Sequence, residues 1–198
     1  MLRPDHLRVE ISVQVLELEV SRAVALIESA VDAAARELAA ALPGARVILA
    51  GLELRRNTDK SSRAGQEVAG VVCSGHVHVP LAAEAGYWPR AHAVASLHGI
   101  LAAAAAAGSK LKHPVQLGFG PAHALVDDPE QHRLPLISRW LARARELAAQ
   151  AQAQELCGAL HLRECVVPGP VMQHPRGLEE VELRLVLDAP LIATPTDE

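Results

Sequence analysis

Hydrophobic and polar positions alternate cleanly at the start of the chain. Leu7, Val9, Ile11, Val13 and Val15 are apolar, and Arg8, Glu10, Ser12 and Gln14 between them are polar. A period of two marks a half-buried strand. The phase then flips, with Leu16 and Leu18 apolar and Glu17 and Glu19 charged, which predicts a bulge or strand end near Val15-Leu16. Ser21 is placed to cap a helix whose stripe is Val24, Ile27, Val31, Ala34, Leu38 and Leu42, closed by Pro43-Gly44. Arg46 to Leu54 reads as a strand with Val47, Leu49 and Gly51 on one side. The polar run Arg55 to Gln66 reads as a mobile loop. Glu67 to Leu81 is a long strand with Ala69, Val71, Cys73, Val77 and Val79 sharing a face. A helix over Trp88 to Ala107 turns Val94, Leu97 and Leu101 inward and stops at Gly108, and a short strand follows from Val115 to Phe119.

The second half is dominated by one alanine-rich amphipathic helix that begins after Pro129. Ile137, Trp140, Leu141, Ala144, Leu147, Ala148 and Ala151 recur at steps of three and four, so they share one face. Arg139, Arg143, Glu146 and Gln150 lie opposite. Gly158 supplies a stop, and the helix is expected to lie over a sheet and hand the chain to a strand, ALHLRECVV. Val167 to Gly177 reads as a loop and Leu178 to Leu187 as a closing strand. The order β-α-β-β-α-β, then α-β-β, predicts an α+β fold: a ferredoxin-like half extended by a long third helix and two further strands. The expected organisation is one domain over 1–198, built on an antiparallel-rich sheet of six strands with helices packed on it.

Composition narrows the function classes more than it names one. A net charge of −4 gives no bulk attraction to nucleic acid or acidic membranes. Aromatics are only 2% of the chain, so Leu, Val and Ile must fill the core. Three cysteines, Cys73, Cys157 and Cys165, form no CxxC pair, which argues against a disulfide framework. No apolar run approaches the roughly 20 residues of a membrane span, and MLRPDHLRVEI lacks a signal-peptide pattern. The expected location is therefore cytoplasmic as written, or periplasmic if the natural start lies upstream. Phosphate-loop, Rossmann, nucleophile-elbow, HExxH and EF-hand patterns are absent from the sequence.

Several stretches, in order, resemble one known family. PDHLRVEISVQV (Pro4 to Val15) is similar to a Pro-Asp followed by an alternating strand. QEVAGVVCSGHVHVPL (Gln66 to Leu81) resembles that family's central strand, AAAAAAGSK (Ala102 to Lys110) its helix ending in Ala-x-Gly, and VQLGFG (Val115 to Gly120) its short Val-x-Phe strand. Asp128-Pro129 then leads into a helix with Ala-Arg-x-x-Ala spacing that closes on Leu-Cys-Gly-x-Leu. The chain thus resembles the SIMPL-domain family. That resemblance implies a non-enzymatic, oligomer-forming module with no catalytic residues and no cofactor. Bacterial members are linked to oxidative or envelope stress, and animal members act as signalling adaptors.

Candidate chemistry is sparse. His76 and His78 fall on one face of their strand, about 6 to 7 Å apart along it, and neutral imidazoles so placed are possible ligands of Zn, Cu or Ni. A third ligand would come from elsewhere, His161 or His174 being candidates; Cys73 points the other way. The plainer reading is the polar face of a half-buried strand. Cys157 and Cys165 flank His161 across a helix-to-strand turn, where a redox thiol would need access and a lowered pKa; an inert, space-filling cysteine is the plainer reading. Asp127, Asp128 and Glu130 read as caps for the long helix, and Trp88 and Trp140 as core or interface anchors. The expected function is a self-associating interaction module, with a metal- or small-ligand-binding protein using His76 and His78 as the alternative. A homo-oligomer is the expected partner, with no nucleic acid and no membrane span.

Overall fold

The computed structural model describes residues 1–17, 19–58, 67–153, 160–162, 169–186 and 191–193; for 56–58, 67–69, 160–162 and 191–193 it describes the backbone alone. The first six elements are β1 (His6–Glu17), α1 (Val20–Ala41), β2 (Arg46–Thr58), β3 (Glu67–Pro80), α2 (Tyr87–Ser109) and β4 (Val115–Leu125). The strands form a four-stranded sheet in the order β2-β3-β1-β4, antiparallel throughout. The fold is α+β, with the split βαβ order and α1 and α2 packed on one face.

Alternation explains why that face is the covered one. Leu7, Val9, Ile11, Val77 and Val79 meet Leu38, Leu97 and Leu101 at one end of the layer. Val13, Val15, Val71, Cys73 and Val115 meet Ala23 and Ile27 at the other. Full burial of such a Leu or Val contributes about 1.5–3 kcal/mol, so these few branched residues, rather than the many alanines, carry the core. Between the helices the methyl side chains of Ala30, Ala33, Ala103 and Ala107 leave a groove of about 470 Å³.

Two compact units divide the chain. Arg3–Leu125 with Pro175–Glu180 contains the four-stranded sheet, and Met1–Leu2, Val126–His174 and Val181–Glu198 make up the other. The second unit opens on a 3-10 turn, Pro129–His132, that runs into α3 (Arg133–Ala153). Four short strands follow: β5 (Leu160–Leu162), β6 (Met172–Pro175), β7 (Val181–Arg184) and β8 (Leu191–Ala193). They pair as β5-β8 and β6-β7, and Leu2 bridges to Val181. Among the described residues the two further strands expected from the sequence are thus four, paired in two small sheets, and the six-stranded sheet expected is a four-stranded one. β6 falls inside what reads as the Val167 to Gly177 loop, and only Val181–Arg184 of the expected closing strand is strand.

Other expectations are corrected by specific contacts. The phase of β1 does not flip: Leu16 stays exposed and Glu17 is buried. The buried carboxylate is tolerated because His113 Nδ1 lies 2.7 Å and Arg22 Nε 3.7 Å from its Oε2. Arg22 Nη2 also lies 3.0 Å from His113 Nε2, and a proton on Nδ1 would leave Nε2 to accept from it. Ser21 is not the cap of α1; Glu19 holds that place and makes no side-chain cap bond. β2 continues through Arg55 to Thr58, paired with β3, where a loop was expected; residues 59–66 of that loop lie outside the described residues. A register shift between Leu49 and Gly51 puts Gly51 opposite Ser74, off the side of Val47 and Leu49. β4 is longer than expected because a bulge at Gly120-Pro121 restores its alternation.

Gly108 does not end α2. It is buried, and a Cβ there would come within 2.5 Å of the Val115 carbonyl oxygen, so glycine is needed for close helix–strand approach. α2 has 23 residues, and its most apolar 18-residue window reaches a mean hydropathy of 1.4, long and apolar enough by length and composition alone to cross a membrane. In this fold it lies on the sheet, with Arg90, Leu97 and Leu101 buried. In α3 the predicted stripe is only half-buried and Leu147 is exposed; no residue of the helix is fully buried. Its glycine stop at Gly158 lies outside the described residues.

Arg90 ties the first unit together. It is fully buried, and its guanidinium donates to three backbone carbonyls: Nε to Ala85 (2.8 Å), and Nη1 to both Pro4 (3.0 Å) and Leu178 (2.8 Å). Burial pushes its pKa down from the ordinary arginine value, with Arg3 adding to the effect and Glu179 opposing it. The planar fork of donors suits arginine to this place, since lysine presents a single charged nitrogen.

Candidate functional site

The uncovered face of the sheet gathers the histidines. With Leu7 to Val15 turned to the helices, β1 offers His6, Arg8, Glu10, Ser12 and Gln14 to the other side. The register sets Arg8 between His78 of β3 and His123 of β4, and Glu10 opposite His76. Arg8 Nε donates to Glu10 Oε1 at 2.8 Å, so the arginine charge is partly met along its own strand. His76 titrates below the usual imidazole value, chiefly through burial, with Arg8 adding to the shift and Glu10 opposing it.

His76 and His78 share this face, but the ring that stacks on His78 is that of His6. The two ring centroids are 4.5 Å apart and the planes 22° from parallel. His6 pairs in register with Pro80 and His78 with Arg8, so the two histidines are diagonal cross-strand neighbours. His6 is 6% exposed, and its Nδ1 lies 2.8 Å from Asp5 Oδ1. A reading along one strand finds His76 and His78; only the pairing of β1 with β3 brings in His6. The signal available in the sequence was Asp5-His6 at the head of an alternating strand.

The remaining candidates lie away from this pair. Cys73 lies on the helix side, and burial pushes its thiol pKa up, away from reactivity. Cys157, Cys165 and the side chain of His161 lie outside the described residues. In the second unit His174 sits in β6, its Nε2 buried and without a hydrogen-bond partner among the described residues. Trp88 is not a core anchor: it is 72% exposed and packs edge-on against Tyr87, with centroids 5.4 Å apart. The glycines of Gly118-Phe119-Gly120-Pro121 belong to β4 and its bulge.

Comparison with protein-family models finds no match. Neither does comparison with curated proteins.

Of the acidic residues before α3, Asp128 caps the 3-10 turn that leads into the helix, and Glu130 bonds elsewhere. Asp128 Oδ1 accepts from the Glu130 N–H at 3.1 Å, while Glu130 accepts from the Val171 N–H at 2.8 Å and from Arg133 Nε at 2.6 Å. These bonds hold the Glu130 carboxyl below its usual range, the Arg133 bond first and the Val171 bond second. A depressed folded-state value means the clasp is complete above the ordinary carboxylate range and is lost as pH falls through the lowered value. Protection of the Val171 amide from hydrogen exchange, normalised for the intrinsic rate, should therefore hold down to mildly acid pH and fall below it. Glu130→Ala should remove that pH dependence; a normalised profile equal to that of the unchanged protein would contradict the assignment.

The second notable surface is the outer edge of β2. Leu49, Leu52 and Leu54 oppose Gly75, Cys73 and Val71, which puts them on the helix side of the sheet. Yet they are half exposed or more, reaching 62% at Leu54. An open groove of about 820 Å³, lined by Arg36, Ala39, Arg46 and Ile48 among others, runs beside the start of the strand. β2 and β4 are the two edges of the sheet. β4 is interrupted by its bulge at Pro121, which has no N–H to offer, whereas β2 contains no proline over 13 residues.

Proposed function

We propose that the chain is a SIMPL-like, non-enzymatic interaction module that associates with a second copy of itself through the edge of β2. The observation that carries this reading is the row of exposed leucines, Leu49, Leu52 and Leu54, on a long strand at the margin of the sheet. Such an edge presents unpaired N–H and C=O groups and is ordinarily shortened, charged or covered. The sequence resemblance to SIMPL proteins supplies the rest of the reading, including the stress-linked setting of the bacterial members.

A particular register is favoured by charge. In an antiparallel pair of β2 strands with the two-fold axis at Leu54, Glu53 of each copy faces Arg55 of the other. The two Leu54 side chains then meet between those pairs. Within one chain Glu53 and Arg55 already bond at 2.8 Å on the opposite side of the strand from the leucines, so pairing would complete a four-charge cluster. Shifting the axis by one residue toward Leu52 would set Glu53 against Glu53.

Light scattering and sedimentation at micromolar concentration should show a dimer. Glu53→Lys and Arg55→Glu should each weaken it roughly tenfold in Kd, since two like-charged pairs opposed across the strands cost about 0.2–1 kcal/mol each beyond the attraction lost. The double variant should recover the original affinity. A clean monomer for the unchanged protein would overturn the reading, and a double variant weaker than either single one would overturn the register.

A further inference from the structure

We propose that His6 and His78 form a binding site for a late first-row divalent transition ion, of which Zn(II) and Ni(II) are the natural probes. The site lies on β1 and β3 and does not depend on pairing through β2.

Two observations converge on it. The two rings are cross-strand neighbours with centroids 4.5 Å apart, and each presents a ring nitrogen within 4.8 Å of one on the other. Two histidine nitrogens on one tetrahedral Zn(II) sit about 3.3 Å apart, from bonds of about 2.0–2.1 Å. Imidazole lone pairs lie in the ring planes, so both side chains must turn out of their stack to meet at one ion. Next, the Asp5 carboxylate lies against His6 Nδ1 at 2.8 Å. A carboxylate in that place keeps the proton on Nδ1, fixes the ring, and leaves the lone pair of Nε2 for a metal.

The surroundings fit a cation of this kind. Arg8, the nearest arginine in the register, is held by Glu10 at 2.8 Å, which offsets its charge. His6 is nearly buried, so its ring begins partly desolvated and gives up little water on binding. Two imidazoles leave further coordination positions for water, which suits Zn(II) and Ni(II) and not the all-oxygen shell preferred by Mg(II) or Ca(II). The pair also differs from the one suggested along a single strand: His76 faces Glu10 and is not part of this site.

Tag-free protein, stripped with chelator, should be titrated with ZnCl2 and separately with NiCl2 by calorimetry. One equivalent should bind per chain. His6→Gln and His78→Gln should each weaken binding by about tenfold or more, Asp5→Asn should weaken it by a smaller factor, and His76→Gln should leave it unchanged. Ring-nitrogen NMR supplies a readout independent of affinity, in which Zn(II) should shift His6 Nε2 and leave its Nδ1 protonated. Circular dichroism melts of the metal-free variants separate loss of a ligand from loss of fold, and His6→Ala at the same position gives a second variant should His6→Gln melt early. Absence of stoichiometric binding at about 100 μM metal, or binding that survives His6→Gln and His78→Gln together, overturns the proposal. So does loss of binding in His76→Gln alone.

Discussion

Replacing Arg90 by methionine should lower the urea midpoint of unfolding by about 1.5 M, equivalent to roughly 3 kcal/mol at a slope of about 2 kcal/mol/M. Methionine fills much of the same space, so the loss is not chiefly a cavity. It comes from the carbonyls of Pro4 and Leu178, both of which accept from Arg90 Nη1, the first in a buried setting and the second in a part-buried one. A buried acceptor left without a donor costs about 1–3 kcal/mol. The Ala85 carbonyl suffers less, because Arg3 Nη2 also donates to it at 2.7 Å. Part of the loss is returned, since a desolvated cation and its one unbonded nitrogen, Nη2, are removed as well. Arg90→Lys should fall between, retaining charge but lacking the fork. A shift of less than about 0.5 M for the methionine variant would mean that water replaces the guanidinium, and that Arg90 is not the fastener described above.

Gly75→Ala should destabilise the protein by about 3 kcal/mol and release β2 from β3. A Cβ at Gly75 would overlap the Ile48 carbonyl oxygen and lie 3.0 Å from Leu49 Cα, both of them backbone atoms that no rotamer change can move. The contact falls beside the register shift of β2. Insertion into a packed site ordinarily costs about 1–3 kcal/mol, and a backbone obstacle sets this one at the upper end. Gly99→Ala on the exposed side of α2 is the control. Nothing lies within 4 Å of its added methyl, so it should stabilise by about 0.5–1 kcal/mol through helix propensity. Amide exchange should show β2 opening before the rest of the sheet in the Gly75 variant. Equal stability for the two alanine variants would contradict the close approach.

How much of this could be read beforehand depended on whether a feature was local. The covered face of β1 from Leu7 to Val15 was legible because its period of two is unbroken, and the same is true of Val71, Cys73, Val77 and Val79 in β3. Glu17 was not legible. Its hydropathy argues for solvent, and only Arg22 and His113, the latter 96 positions away in the chain, make its burial tolerable. The end of β2 was hidden by polarity, since Arg55 to Thr58 look like loop residues until β3 supplies their partners. β6 was hidden by its loop-like setting. The histidine pair needed register as well as pattern, because His6 and His78 are neighbours only after β1 and β3 align antiparallel. The capping role of Asp128 was legible, being a matter of a few residues around one turn, whereas the long reach of Glu130 to Val171 was not.

The bulge at Gly120-Pro121 bears on what kind of assembly can grow from this sheet. A sheet with two equally adhesive margins can add copies without end, each newcomer exposing another margin, as in a fibril. Here one margin is broken where a proline interrupts the ladder, and the other, though it shifts register between Leu49 and Gly51, contains no proline. The proposed like-to-like pairing across β2 consumes that margin in both molecules and leaves only the proline-broken margin of this sheet. The proposed association would be closed at two and finite, which would let a chain with exposed leucines be sticky once without being prone to propagate.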